Sequence, residues 1–509
     1  MTAPMATLKL HPDDDVVIAK TALARGTLVP TADGPVPLAV DVPAGHKIAI
    51  RPRAAGEPVH RYGQVIGVAS TAIAAGAHVH KHNLEAAPLR EGAKIGVAPA
   101  SVVYHPQETM RTFDGYLRAD GRAGTRNYIV VVPTVNCSAT VTKMVGERFR
   151  DVTRDYPHVD GVVALTHKMG CGLVASGQDH LVLQRVLAGY ANHPNVAACV
   201  FVGLGCEVNQ PEPIVQLARS APAGERPPVV VIQREGGTRK AVEAAVAEVT
   251  RLLPRANAAR RTPRPASDLV VATNCGGSDG YSGITANPAL GWAVDELIRF
   301  GGTAVLGETT EIYGAEQLLV SRATSPAVGQ KLLDRLAWWE TYLAAHGARM
   351  DHNPSPGNAA GGITTVAEKA LGGIAKGGTT PLVDVIDYAE RISAKGLVYM
   401  DTPGYDPVSV TGLVAGGANL ICFTTGRGSV FGCKPVPSLK LATNSMLYRH
   451  MTDDMDLDCG VILEGASIEE VGRNIFEEML AAASGQRTKS ELLGMGDEEF
   501  VPWQSGPTV

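Results

Sequence analysis

The rhythm of apolar and polar positions changes twice along the chain. From residue 8 to about 105, short β-rich segments such as VPLAVDVPAGHKIAI and GQVIGVASTAIAAGAHVHKHNLEA are broken by Gly and Pro, with no sustained helical period. This predicts a small β domain that, with its linker, occupies residues 1–108. From Asn127, apolar runs (NYIVVVPT, GVVALTH, ACVFVGLG, VVVIQR) alternate with amphipathic stretches such as LVLQRVLAGYAN and TRKAVEAAVAEVTRLL. Parallel strands covered on both faces by crossover helices read this way, so residues 109–262 are expected to form an α/β domain. Residues 251–267, RLLPRANAARRTPRPAS, are basic, Pro-containing and aperiodic, and read as an interdomain linker. A third, Gly-rich α/β region, 263–509, offers LVVAT, TAVLGE, GLVYMDT, NLICFTTG and CGVILEG as strands. Near its end Ser467 and Glu470 make a capping box that opens the helix IEEVGRNIFEEMLAAA. The predicted fold class is α/β: a small N-terminal β domain followed by two α/β domains with largely parallel sheets.

Composition narrows the function classes. A chain of 509 residues has room for two to three domains with substantial cores. Its 46 Lys+Arg against 51 Asp+Glu, a net charge of −5, lack the basic excess of a nucleic-acid binder. The N-terminus MTAPMATLKLHPDDDVV has no basic start with an apolar core behind it, and no apolar run is long enough to span a bilayer. A cytoplasmic protein that acts on a small molecule, without nucleic-acid or membrane partners and as a homo-oligomer such as a dimer, is expected. The eight cysteines form no CxxC pair, which argues against a disulfide framework and leaves thiols to be buried, metal-binding or reactive.

In open α/β sheets, sites collect at the carboxyl ends of strands. The residues after each apolar run are polar: Asn136 and Cys137; His167, Lys168 and Cys171; Cys206, Glu207 and Asn209; Asn274 and Cys275; Glu308 and Glu311; Asp401; and Arg427. Cys199 and Cys422 lie inside apolar strands and read as core thiols. In the β domain, His78, His80 and His82 alternate, so a strand would present three imidazoles on one face. With Cys137, Cys171, Cys206 and Cys275 they form the pool of metal-ligand candidates, suited to Fe(II), Mn(II) or Zn(II) more than to an all-oxygen site. Four loop cysteines could alternatively hold an iron–sulfur cluster, although their spacings match no compact cluster motif. Basic residues near glycine loops, Arg122, Arg126, Lys168, Arg427 and Lys434, suit a small anionic substrate. Asn136, Asn209 and Asn274 can organise turns or bind a hydroxyl. No GxGxxG follows a strand, and neither GxxxxGK[ST] nor HExxH occurs, which disfavours dinucleotide, P-loop and zincin chemistry.

Several of these segments carry a family resemblance. GYLRADGRAGTRNYIVVVPTVNCSA, HKMGCG, GLGCEVNQ, NCGGSDGYSGITANPALG, VLGETTEIYGAE, HNPSPGN and FTTGRGSVFGCKPVPSLKLATN resemble the altronate/galactarate dehydratase family, and the stretch ending AHVHKHNL resembles its fused SAF (β-clip) domain. The resemblance implies a hydro-lyase that removes water from a sugar acid with a divalent metal, Fe(II) foremost and Mn(II) second. Altronate would give 2-keto-3-deoxygluconate, and galactarate 5-keto-4-deoxyglucarate. Such chemistry needs a base for the C2 proton and an acid for the departing hydroxide, and His167, Glu207, Glu308 and Glu311 are the candidates. Two other readings stay open: a sulfolactate sulfo-lyase on the same scaffold, and a sugar-acid binder without turnover.

Overall fold

A computed structural model of the chain describes residues 6–31, 34–87, 95, 101–218 and 226–504. The N-terminal domain is all β. An antiparallel sheet has the order Thr7–Leu8, Val16–Ala19, Lys47–Ala49, His78–Val79, beside a sheet of Pro58–Arg61, Gln64–Ala69 and Leu84–Glu85 and a hairpin of Leu28–Val29 with Val36–Pro37. Val16, Val59, Ile66, Ile73 and Val79 fill its core.

The middle domain is built on a parallel sheet ordered Gly161–Ala164, Tyr128–Pro133, Val196–Gly203, Val229–Val231. The apolar runs fall on these strands because both faces are covered, by Gln178–Ala191 on one side and by Asn136–Arg148 with Thr238–Ala258 on the other. Residues 251–267 are not a linker. Val249, Leu252, Leu253 and Ala256 are buried at helical spacing, so Thr238–Ala258 runs through Pro254. The chain then forms the strand Thr262–Pro265, paired antiparallel with Thr112–Leu117. Arginines on the exposed side and the proline mask an amphipathic period that the buried side preserves.

The C-terminal domain carries a seven-stranded parallel sheet in the order Leu382–Ile386, Gly396–Met400, Thr303–Leu306, Val270–Cys275, Leu420–Thr425, Ser438–Ala442, Leu457–Asp458. Four of the five expected strands are there. CGVILEG instead forms the 3-10 turn Gly460–Glu464, where Gly460 lies against the backbone of Asn444 and Ser445 too closely for a Cβ. Ser438–Ala442 was hidden by a wholly buried Lys440 in mid-strand. Ser467 caps the helix Ile468–Ala483 by accepting the Glu470 N–H at 3.0 Å. A single core joins the middle and C-terminal domains, with helix Asp406–Ala415 against Gln178–Ala191. Near the C-terminus, Trp503 stacks on buried Trp339 and Phe500 packs on Tyr190. No helix of the described residues is long and apolar enough to cross a membrane.

Candidate active site

The C-terminal sheet starts in its middle. Val270–Cys275 is laid down first, Thr303–Leu306 joins it on one side and Leu420–Thr425 on the other, so the order reverses at that strand and a crevice opens at its carboxyl end. Cys275 is the strand's last residue, and Glu308 and Glu311 follow the neighbouring strand. The Cys275 Sγ lies 3.8 Å from Glu308 Oε2 and 3.7 Å from Glu311 Oε2, all three side chains buried. Glu308 takes a left-handed backbone conformation, φ +65°, with its N–H donating to Thr402 Oγ1 at 2.7 Å. A non-glycine residue held there costs about 1–3 kcal/mol, a strain that collects where a side chain must be aimed.

Two lysines answer these carboxylates. Thr365 caps the helix Val366–Ile374, which carries Lys369, and the following 3-10 turn carries Lys376. Lys376 Nζ is 2.8 Å from Cys275 Sγ and 2.5 Å from Glu308 Oε2. Lys369 Nζ donates to Glu311 Oε1 at 2.7 Å and to Asn353 Oδ1 at 3.0 Å, while Asn353 Nδ2 donates to the same Glu311 oxygen at 3.0 Å. Burial pushes the Glu308 carboxyl up to about 7 against the pull of Lys376. Burial, then the nearby Glu308 and Glu311, pushes Asp406 up to about 8, so it carries a proton at neutral pH. Asn274 Nδ2 stands 3.5 Å from Asp406 Oδ1, and its own buried Oδ1 has no partner. A buried carbonyl left unpaired in a cleft marks a place for a water or ligand donor.

The β domain closes the other side. Glu368, one residue before Lys369, receives Lys47 Nζ at 2.9 Å and an Arg61 guanidinium, while Lys47 also donates to Gly362 O at 2.7 Å and Arg61 to Gly280 O at 2.6 Å. Burial alone would raise the Glu368 carboxyl, but Lys47 and Arg61 hold it down at about 2. Burial in turn pulls the Lys47 ammonium down to about 8, although the adjacent Glu368 favours the charged form. The histidines gather here by a route other than a common strand face. The strand ends at Val79, and Asn83 turns the chain by accepting the His80 N–H at 2.9 Å and donating to His78 O at 3.0 Å. The turn still brings the His78 ring to 5.4 Å from His80 and 5.6 Å from His82, and His46 joins at 5.1 Å from His78. His80 Nε2 contacts Ala359 O at 2.9 Å, next to Asn358, which is 3.5 Å from Lys369 Nζ. Burial, then the neighbouring imidazoles, pulls His78 down to about 4, which keeps it neutral.

Comparison with known proteins matches this architecture domain by domain. Residues 5–87 match the altronate/galactarate dehydratase SAF domain, 115–257 the D-galactarate dehydratase/altronate hydrolase second domain, and 266–508 the D-galactarate/altronate dehydratase C-terminal domain. An altronate dehydratase of Escherichia coli is 36% identical over 505 residues, covering 99% of this chain and 100% of that protein. The chain belongs to the galactarate/altronate dehydratase family of hydro-lyases. A galactarate dehydratase (L-threo-forming) of E. coli is 38% identical over 97% of the chain and 96% of its own length. The β subunit of a (2R)-sulfolactate sulfo-lyase of Chromohalobacter salexigens is 32% identical over 77% of the chain and 97% of its own length.

For a hydro-lyase of this family the donor set at the switch point fits a divalent ion. One thiol and two carboxylates suit Fe(II), Mn(II) or Zn(II) and leave positions open for substrate. Lys376 Nζ already contacts two of the three ligand groups, so an incoming dication must displace the ammonium.

The remaining candidates from the sequence divide into separate places. His167 is buried, with Nε2 bonded to Pro133 O at 2.8 Å and Nδ1 accepting the Met169 N–H at 3.2 Å, so both ring nitrogens are spent on the strand-end loop. Burial pulls it down to about 4. Glu207 accepts from Thr134 Oγ1 at 2.7 Å, Leu204 N at 3.1 Å and Gly205 N at 2.6 Å, which makes it a loop organiser. Arg126 spends its guanidinium on Glu491 and the carbonyls of Thr125, Ala482 and Gln486. Arg122 bonds Asp120 and Asn192 O, and Lys434 bonds Asp497. Arg427 is exposed on the loop whose backbone bonds Gly277, two residues beyond Cys275. Asn136, Lys168, Cys137, Cys171 and Cys206 are exposed at the carboxyl edge of the middle sheet, beside buried Asn209. Asp401 accepts from Trp339 and Thr309.

Sequence reasoning missed Lys369, Lys376, Asn353, Asp406 and the Lys47–Arg61–Glu368 group. The available signal was a lone lysine inside an apolar, Gly-rich stretch, as Lys376 in GGIAKGG, because a cation there needs a buried partner.

Proposed function

We propose that the chain dehydrates a hexonate or hexarate such as altronate or galactarate at the Cys275–Glu308–Glu311 centre. The observation that carries this reading is the placement of those three ligand groups, with two lysines and a proton-bearing Asp406, at the sheet's switch point under the SAF domain. A divalent cation, Fe(II) foremost and Mn(II) second, held by Cys275, Glu308 and Glu311 would act as a Lewis acid on the substrate carboxylate and offset the negative charge that develops when the C2 proton leaves.

The chain's own groups supply the rest. Lys369 and Asn353 fix the rotamer of Glu311, and Lys376 holds Glu308 and Cys275 together until the cation takes its place. Asp406 carries a proton at neutral pH, because burial opposes its ionisation, and can give it to the departing C3 hydroxide. The neutral His80 imidazole is the candidate acceptor for the C2 proton. The Asn274 Oδ1 is free to accept from a sugar hydroxyl. The SAF domain, clamped by Glu368, excludes water from this chemistry.

The test is anaerobic incubation with altronate, galactarate and 3-sulfolactate in separate tubes, with Fe(II) or Mn(II) and with EDTA, followed by detection of keto acids. A keto-deoxy acid from one sugar acid, lost with EDTA, is expected. Pyruvate and sulfite from sulfolactate alone would move the reading to the sulfo-lyase side, and binding without product would reduce the protein to a sugar-acid binder.

A further inference from the structure

A cavity lies where the middle and C-terminal domains meet, away from the dehydratase centre. Its volume is about 430 Å³, and its walls are the helix Gln178–Ala191, the end of the helix Pro211–Leu217 and the turns around Ala389 and Gly416. Small-molecule pockets commonly hold ~300–1,000 Å³ and favour domain interfaces. Close backbone approach sets its shape. A Cβ on Gly189 would stand 2.4 Å from Ala415 O, and one on Gly416 2.8 Å from Glu390 O. Ala389 is held in a left-handed conformation, φ +59°, which is strained for a residue with a Cβ and collects at functional sites. Ala415 ends the helix Asp406–Ala415, so the cavity stands one helix length, ~15 Å, behind Asp406.

The lining sorts into two chemistries. Leu181, Ala188, Leu217, Ala389 and Ala415 supply an apolar wall, of which Leu181 is 49% and Leu217 54% exposed. The charged residues are Arg122, Arg185 and Arg391, with no carboxylate among the described residues that line the cavity. From outside the lining, Asp120 answers Arg122 at 2.6 Å. Arg185 gives one N–H to Tyr388 O at 2.9 Å, and exposed Arg391 closes no ion pair among the described residues. Burial would raise the Asp120 carboxyl, but Arg122 and then Arg391 hold it low, so this one anion serves both guanidiniums. Free guanidinium donors suit a carboxylate, and the wall beside them suits hydrocarbon. A sugar acid, hydroxylated along its length, would leave hydroxyls unpaired against that wall.

We infer that this cavity binds a small organic acid, with its carboxylate on the arginines and its hydrocarbon body against Leu181, Ala188 and Leu217. The site is separate from the Cys275 centre, and its test does not depend on turnover.

The experiment titrates the full chain by calorimetry with 4-methyl-2-oxopentanoate, with its neutral counterpart 4-methyl-2-pentanone, and with inorganic phosphate. The expected result is one site per chain for the keto acid, with a Kd of roughly 1 mM or below. The ketone lacks the charge and phosphate lacks the body, so each should bind at least about tenfold more weakly. Arg185→Gln, Arg391→Gln and Leu181→Asp should each weaken the keto acid by about tenfold or more. Arg391→Gln should do so at an unchanged melting temperature, because the side chain is exposed. Glu311→Gln should bind the keto acid as the wild type does, which keeps this result independent of the dehydratase reading. No binding at ~10 mM keto acid overturns the inference, as does equal binding of the ketone or phosphate. An affinity unchanged in both arginine variants, or lost in Glu311→Gln instead, overturns it too. Sedimentation equilibrium on the same samples tests the other occupant: a dimer that dissociates in Leu181→Asp would put a second copy of the chain on this face and remove the small-acid site.

Discussion

Glu368→Gln should loosen the SAF domain from the C-terminal domain. The carboxylate is wholly buried between Lys47 and Arg61 and accepts the Thr364 N–H at 2.8 Å. The amide keeps the volume but leaves two buried cations without a counter-charge. The fall of the Glu368 carboxyl from 4.5 to about 2 is worth about 3 kcal/mol at ~1.4 kcal/mol per tenfold. Removal of one partner from a buried pair typically costs about 3–5 kcal/mol, in the same range. Because the folded-state value lies below the unfolded one, this stabilisation is fully present above pH ~4.5 and is lost as pH falls towards ~2. Hydrogen exchange of the amides of Lys47–Ala49 reads the local opening, and a chemical melt reads the whole chain. The expected outcome is exchange faster by about a hundredfold at pH 7, with a much smaller difference between variant and wild type near pH 2. Exchange and melting within ~0.5 kcal/mol of wild type at pH 7 would refute the clamp.

Gly276→Ala should cost about 1–3 kcal/mol and most of the activity, since the new Cβ would collide with the Asp406 carboxyl; normal melting and normal keto-acid yield would place Asp406 elsewhere in solution. His80→Ala should cut kcat/KM by roughly a hundredfold or more if the SAF imidazoles face the substrate, whereas an unchanged value would leave His80 as a docking contact to Ala359. His167→Ala should lower stability by about 1–3 kcal/mol through the loss of two loop hydrogen bonds, with turnover within tenfold of wild type in the folded fraction. Loss of turnover by more than a thousandfold at full stability would return His167 to the chemistry.

The domain order and most strands were legible because buried parallel strands are continuous apolar runs, as in NYIVVVPT and LICFTT. Ser438–Ala442 escaped because Lys440 interrupts its run, and the helix beyond Arg251 escaped because its arginines sit on the solvent side. Cys275, Glu308 and Glu311 were legible as strand-end polar residues. Their convergence was not, since it depends on which strands the topology makes neighbours. The lysines and asparagines that complete the centre lie on turns and on a helix whose approach to it is set by tertiary packing. The histidine cluster was foreseen by the wrong route, because strand alternation predicts a common face and Asn83 supplies a turn instead.

The most direct test of the centre is a Mn(II) titration followed by electron paramagnetic resonance, on the wild-type chain and on Glu311→Gln. One tight Mn(II) per chain, weakened by more than about tenfold in the variant, is the expected result, because removal of a ligand should cost at least as much as removal of a supporting group. Equal affinity in the two proteins would contradict metal binding by Cys275, Glu308 and Glu311, and with it the placement of the active site.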